Sequence, residues 1–323
     1  MIDGHNDVAW ELRERFGSDL DRGDIEFALP ELRTDLRRLR AGGVTGQFWS
    51  VFVPSTLRGA DAVLATLEQL DLVHRMIERS PELALVTTAA DLESAVRGGR
   101  IASLIGVEGG HSIASSLPVL RLLHRLGMRY LTLTHNDSTD WADSATGEQV
   151  AGGLSAFGVA VVGELNRLGV MVDLSHTADT TMRAALASTR APVIFSHSNA
   201  RAVCDVPRNI PDDVLALVPA NGGIVMATFV SRFVTGKRRA GIDDVVRQLE
   251  YLRDLVGVAH IGIGGDFDGD DEMTLGLDDV SCYPRLFDAL RERGWSPADV
   301  AGLAERNILR VLRDVESVAT EVA

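Results

Sequence analysis

The feature that most constrains this chain of 323 residues is a pattern repeated along its whole length: a short apolar run, a polar cluster, then an amphipathic stretch. Eight runs read as β-strands: Met1–Asp7, Val44–Val51, Ala102–Glu108, Tyr130–His135, Val170–His176, Val193–His197, Gly223–Phe229 and Ile261–Asp266. Several are near-continuous in Val, Ile and Leu, as parallel strands buried on both faces are. Helical periodicity fills the gaps. Leu29–Arg40 places Leu32, Leu36 and Leu39 at helical spacing, and Ala60–Glu78 puts Leu64, Leu67, Leu70, Val73 and Ile77 on one face. Ser116–Leu126, Ser155–Leu168, Thr177–Ser188 and Asp243–Val256 follow, and Ser296-Pro297 with Asp299 opens the last helix as cap and first turn. Eight strands alternating with helices predict an α/β fold closed into a (β/α)8 TIM-type barrel, with residues 1–323 forming a single domain. The competing open, doubly wound sheet lacks a Gly-x-Gly-x-x-Gly after the first strand.

What ends these runs is more informative than the runs themselves. The first ends in His5-Asn6-Asp7, the third in Glu108, the fourth in His135, the fifth in His176, the sixth in His197 and the eighth in Asp266. The C-terminal ends of barrel strands line one mouth, where sites on this fold lie, so residues far apart in sequence converge. His5 and Asp7 stand two apart on a strand and point to the same side, as a pair of ligands to one cation would. His176 and His197 end neighbouring strands and can hold a second cation, with Glu108 bridging through its two oxygens. Imidazole and carboxylate suit zinc, with manganese, cobalt or iron as alternatives. Two ions ~3.5–4 Å apart would share a hydroxide, because a bound ion lowers the pKa of water from about 15.7 towards about 7. His135 is left to stabilise an oxyanion, and Asp266 to carry a proton from the water to a leaving amine. Asp268, in the same Gly264-Gly265-Asp266-Phe267-Asp268-Gly269 segment, is the alternative for that role.

Singly, each of these residues reads as structural. His74 and His124 fall on helical stretches, His260 precedes the eighth run at its far end, and His111 is read equally well as packing or as support for Glu108. Five ligand-type residues ending four strands are different, because burying so many polar groups without a cation is costly.

Composition narrows the function classes. A net charge of −14 and a single short basic run, Lys237-Arg238-Arg239, argue against a nucleic-acid partner. No apolar run approaches the ~20 residues of a membrane span, and no basic-then-apolar leader opens the chain. Two cysteines, Cys204 and Cys282, form no metal-type pair, and a reducing, cytoplasmic setting is expected.

The chain resembles the membrane dipeptidases, a branch of the amidohydrolase superfamily. The resemblance rests on Asp3-Gly4-His5-Asn6-Asp7, Gly106-Val107-Glu108-Gly109-Gly110-His111-Ser112, Leu131-Thr132-Leu133-Thr134-His135-Asn136, Asp173-Leu174-Ser175-His176, Phe195-Ser196-His197-Ser198, Pro207-Arg208-Asn209 and the segment from Gly264 to Gly269. It implies a distorted (β/α)8 barrel with two zinc ions. It assigns His5 and Asp7 to one ion, His176 and His197 to the other, and Glu108 to both. It further implies that Arg208 binds the terminal carboxylate of a dipeptide, that Asp266 holds the free amine, and that His135 holds the scissile carbonyl. Residues alone leave Arg208 as a surface charge. The resemblance also implies activity on dipeptides, often with a D-residue at the C-terminal position, and a tendency to form homodimers. The secretion and lipid anchor of animal members are not expected here, and the loops Trp141–Gly153 and Ser231–Ala240 are where preference would be set. Competing readings are an amidohydrolase for N-acyl amino acids or β-lactams, a silent metal-binding scaffold, and a phosphotriesterase-type enzyme. The last expects a bridging lysine where Glu108 stands.

Overall fold

A computed structural model describes residues 1–237 and 239–320; Arg238 of the basic run lies outside the described residues. Nine parallel strands form one sheet: β1 Ile2–Asn6, β2 Gly46–Phe52, β3 Leu83–Leu85, β4 Ile101–Glu108, β5 Met128–Thr132, β6 Met171–Asp173, β7 Val193–Phe195, β8 Ile224–Ala227 and β9 Ile261–Ile263. The order is β1-β2-β4-β5-β6-β7-β8-β9, with β3 an extra strand on β4. These eight barrel strands are the eight runs read from the sequence, and the helices pack outside them. β3 is too short and too isolated to show as a periodic run.

Alternation along the strands sorts the core into two layers. Phe48, Leu104, Tyr130, Met171, Ile194, Ile224 and Met226 fall in one cluster with Ile2. Their strand neighbours Trp49, Ile105, Leu131, Val172, Val193 and Val225 fall in the other, against the helices. The first cluster is the barrel lumen, since side chains on a closed sheet alternate between inside and outside. Ile308, Val311, Leu312 and Val315 of the final helix, Asn307–Val318, join it and plug one end. The plug is at the end where the strands begin, which leaves the other end for the site.

The barrel closes without a regular ladder between β9 and β1. The Asp7 amide donates to the Phe267 carbonyl at 2.9 Å, and the Asp266 amide to the His5 carbonyl at 3.3 Å. The buried carboxylate of Asp3 accepts from the amides of His5 and Gly265, both at 3.0 Å, and from the Tyr283 hydroxyl. One side chain thus stitches the seam that the strands leave open. Asp3→Ala would strand two buried amides and a phenol, each costing about 1–3 kcal/mol. A loss of about 3 kcal/mol or more is expected in urea unfolding. A loss below about 1 kcal/mol would show that the seam does not depend on Asp3.

Three expectations need correction. The strands end earlier than the apolar runs suggest: β5, β6, β7 and β9 stop two or three residues before His135, His176, His197 and Asp266. At His176 and Asp266 the backbone turns into the left-handed region, φ 65° at each, which no strand tolerates. Asp7 is not a strand residue but the position before the helix Val8–Phe16, and its carboxylate makes no cap hydrogen bond there. The helix expected over Leu29–Arg40 begins only at Leu36, where Asp35 caps it by accepting from the Arg38 amide at 2.8 Å. The cap ahead of Leu36 sets the start, and residues 29–34 run as turns. Ser296 caps Pro297–Ala301 as expected, and the first-turn Asp299 carboxylate accepts in return from the Ser296 amide.

Candidate metal centre

The open end of the lumen gathers His5, Asp7, Glu108, His176 and His197, all buried. His176 Nε2 and His197 Nε2 lie 3.0 Å apart, and 3.1 and 3.4 Å from Glu108 Oε1. His5 Nε2 lies 3.1 Å from Asp7 Oδ2 and 3.5 Å from Glu108 Oε2. Ligand atoms about 2.0–2.1 Å from a tetrahedral ion stand about 3.3 Å from one another, so both triads have the spacing of a cation's shell. Each triad takes a different oxygen of Glu108. His5 Nε2 and Asp7 Oδ1 are buried with no hydrogen-bond partner, which a cation would remedy. The residues therefore fit two cations sharing one carboxylate.

Electrostatics agree with that fit at two of the three imidazoles; at His5 burial is outweighed by Tyr130, Asp7 and Glu108, which hold the ring well above its ordinary pKa, so a cation there would displace a proton. Burial holds His176 and His197 well below their ordinary pKa, so each is a neutral imidazole, the form that ligates. Burial would raise Glu108, but His5, His176 and His197 around it keep it well below the usual carboxylate range. Asp266 is different: burial pushes its carboxyl up to about 7. Its Oδ1 lies 3.9 Å from His5 Nε2, beyond the closer ligand spacings, and its Oδ2 is 3.5 Å from the Thr228 hydroxyl. A Cβ on Gly269 would stand 2.5 Å from Asp7 Oδ2 and 2.7 Å from Asp266 Oδ1, so only glycine leaves the gap between them.

The alternative acid separates cleanly. Asp268 accepts from the Arg33 amide at 2.7 Å and lines a neighbouring cavity of about 450 Å³ with Arg33, Arg38 and Asp279. Asp266, not Asp268, is the acid brought to the cluster. His135 stands back from it, with Nε2 3.9 Å from Glu108 Oε1 and its ring against Phe52 and His176. Burial lowers its pKa, so it presents a neutral imidazole.

Arg208 is buried, although the residue pattern alone reads it as a surface charge. Among the described residues its Nη1 and Nη2 donate only to the Ser198 hydroxyl at 3.4 Å and the His197 carbonyl at 3.3 Å, and its Nε has no hydrogen-bond partner. Burial brings its pKa down to about 10. Arg208, Asp266, His135 and, from the cluster, Asp7, Glu108 and His176 face one cavity of about 150 Å³, walled also by Trp10, Phe52, Asn136 and Phe233. Arg232, paired with Asp270 at 2.5 Å, closes one side of it. Arg232 and Phe233, on the short helix Ser231–Thr235, fall in the Ser231–Ala240 segment expected to set preference; Trp10 on the helix Val8–Phe16, Phe52 at the end of β2 and Asn136 share no spacing and carry no sequence signal.

His111 is placed as support rather than ligand. Its Nε2 donates to the Val53 carbonyl at 3.0 Å, and burial takes its pKa down to about 4. A depressed folded pKa means that the neutral ring stabilises the fold above the unfolded value of about 6.5, and that this stability is lost as pH falls through about 4. The contribution is on the order of 3 kcal/mol. His111→Gln keeps a donor for Val53 and removes the titration. In chelator, its urea midpoint should fall less than that of the parent protein between pH 6.5 and 4; parallel curves would refute the assignment.

Known proteins match this arrangement. The chain matches the membrane dipeptidase family, peptidase family M19, over residues 1–323. A rat and a human protein, each described as Dipeptidase 3, are both 46% identical to it, over 98% and 99% of this chain. The chain spans 65% and 66% of the length of those two relatives. A solved metallopeptidase from Rhodobacter sphaeroides, liganded with a phosphinate mimic of L-Ala-D-Ala, superposes with a TM-score of 0.90 at 26% identity, covering 97% of this chain and 98% of that one. The parallel barrel and the buried triads at its open end define a barrel protein with a candidate metal centre. Within that class, this chain is a member of the membrane dipeptidase family.

Proposed function

We propose that the chain is a dipeptidase that hydrolyses the amide bond of short peptides at two divalent cations, zinc by the chemistry of its ligands. His5 and Asp7 would hold one ion, His176 and His197 the other, and Glu108 both. Bound there, the cations lower the pKa of water and polarise a carbonyl. The observation that carries the reading is the cavity's polarity. It offers both a buried guanidinium with no carboxylate salt bridge among the described residues and a buried carboxyl near His5, beside the triads. A ligand carrying a carboxylate at one end and an amine at the other satisfies both.

In this reading Arg208 anchors the substrate carboxylate and the neutral His135 donates to the scissile carbonyl oxygen. Asp266, poised near neutrality, takes a proton on its carboxylate and returns it to the leaving amine. The phosphinate L-Ala-D-Ala mimic held by the Rhodobacter sphaeroides protein supports dipeptides of the L-Xaa-D-Xaa type as substrates here.

An amidohydrolase for N-acyl amino acids or β-lactams would use the same triads and Arg208 but no amine. One comparison tests the shared anchor and a second separates the readings. Arg208→Ala should lower kcat/KM on dipeptides about a hundredfold, mostly through KM, the loss of a charged hydrogen-bonding pair. N-acetylation of the dipeptide should abolish turnover by the unaltered protein. Equal turnover of free and acetylated substrates would favour the acyl reading.

A further inference from the structure

We propose that Ser196 and Asp173 act as positioning residues that fix the tautomer of His197, and so set the affinity of one of the two cation positions. This rests on the metal-centre reading above. Alternation along β6 and β7 places Asp173 and Ser196 on the lumen side, directly beneath the cluster, with Thr132 beside them. The Asp173 carboxylate is fully occupied as an acceptor. Its Oδ1 takes the amides of Ser175 and Ser196 at 3.1 and 2.9 Å, and its Oδ2 takes the hydroxyls of Thr132 and Ser196, both at 2.6 Å.

That bond uses the only proton of the Ser196 hydroxyl. Ser196 Oγ also lies 2.8 Å from His197 Nδ1. With its proton given to Asp173, the oxygen can only accept, so Nδ1 must carry the hydrogen. The Nε2 lone pair is then directed at Glu108 and His176, as a ligand must direct it. A carboxylate acting through a hydroxyl thereby does for His197 what a directly bound carboxylate does for other ligating histidines.

The three histidines are treated unequally. His5 Nδ1 lies 2.8 Å from the Tyr130 hydroxyl, a single link, and Tyr130 fits only because Gly106 has no Cβ to overlap its ring. His176 Nδ1 is buried with no hydrogen-bond partner. Of the two imidazoles at the His176–His197 position, one is therefore locked and the other is not. Removing the lock at His197 leaves that position without an oriented imidazole, while the His5–Asp7 position keeps its own support.

The test uses the full chain stripped with chelator and titrated with zinc alone against a chromophoric competitor, for the parent protein, Ser196→Ala and Ser196→Thr. Ser196→Ala should weaken one of two zinc equivalents about 10–100-fold, the usual cost of losing an outer partner of a ligand, and leave the other unchanged. Ser196→Thr, which keeps the hydroxyl, should restore it. In the zinc-loaded parent protein, nitrogen-15 spectra of labelled histidine should show the His197 proton on Nδ1. Unchanged affinities in Ser196→Ala, equal weakening of both equivalents, or failure of threonine to restore would each overturn the proposal. So would a His197 protonated on Nε2, a result that needs no variant to fold. A parent protein that takes up no zinc fails at the first titration and overturns the metal-centre reading itself.

Discussion

Replacing Glu108 by glutamine is expected to cost the protein at least one bound cation and to lower kcat/KM by about a thousandfold or more. Glu108 is the one residue shared by the two triads, through Oε1 to His176 and His197 and through Oε2 to His5. Glutamine keeps the shape and one oxygen but loses the charge and turns the second ligand atom into an NH2 group, which cannot ligate. The Ser50 hydroxyl, which donates to Oε2 at 3.2 Å, would then face a donor. Losing an ion removes several kcal/mol of transition-state stabilisation, and each 1.36 kcal/mol is about tenfold in rate. Metal content by mass spectrometry, read beside the rate, decides the matter. Full metal content with near-normal turnover would mean that Glu108 is not the bridge.

Replacing Asp266 by asparagine is expected to reduce kcat by about 10³–10⁴-fold, the upper range for a lost proton carrier, while both cations remain bound. Asp266 stands farther out than the nearest ligand-type atoms: His5 Nε2 is 3.1 Å from Asp7 Oδ2 but 3.9 Å from Asp266 Oδ1. Burial, which lifts its carboxyl to about 7, suits proton transfer near neutral pH. The left-handed backbone that aims it, at a non-glycine residue, is a conformation costing about 1–3 kcal/mol and kept where function needs it. His5, His197 and Asp266 also form a compact group of ligand-type atoms. Loss of a metal equivalent in Asp266→Asn would therefore make Asp266 a ligand and overturn its role as the proton carrier.

How much of this was legible in the sequence depends on the kind of signal. The eight barrel strands show because continuous Val/Ile/Leu runs are what a strand buried on both faces requires. The gathering of His5, Asp7, Glu108, His176 and His197 follows from barrel geometry once those strands are placed, since strand ends share one mouth. Arg208 carries no such signal. It follows a proline in an irregular segment, and only the resemblance to a known family singles it out. The lock on His197 is invisible for another reason. Asp173 meets Ser196 because β6 pairs with β7 in the register Asp173↔Ile194, and meets Thr132 because β5 pairs with β6 at Thr132↔Asp173. No sequence spacing encodes a lateral register. The early ends of β5 and β6 are hidden because Leu133 and Leu174 carry apolar character past the last ladder bond; at β7 and β9 only Ser196 and Gly264-Gly265 stand between the strand and its ligand-type residue, too few to mark the turn.

The most direct test of the account is hydrolysis of a panel of L-Xaa-D-Xaa and L-Xaa-L-Xaa dipeptides by protein first stripped with chelator and then reloaded with zinc. The account predicts silence after stripping and release of free amino acids that grows with zinc and levels off near two equivalents. Full turnover by stripped protein, or no turnover across the panel with two zinc ions bound, would contradict it.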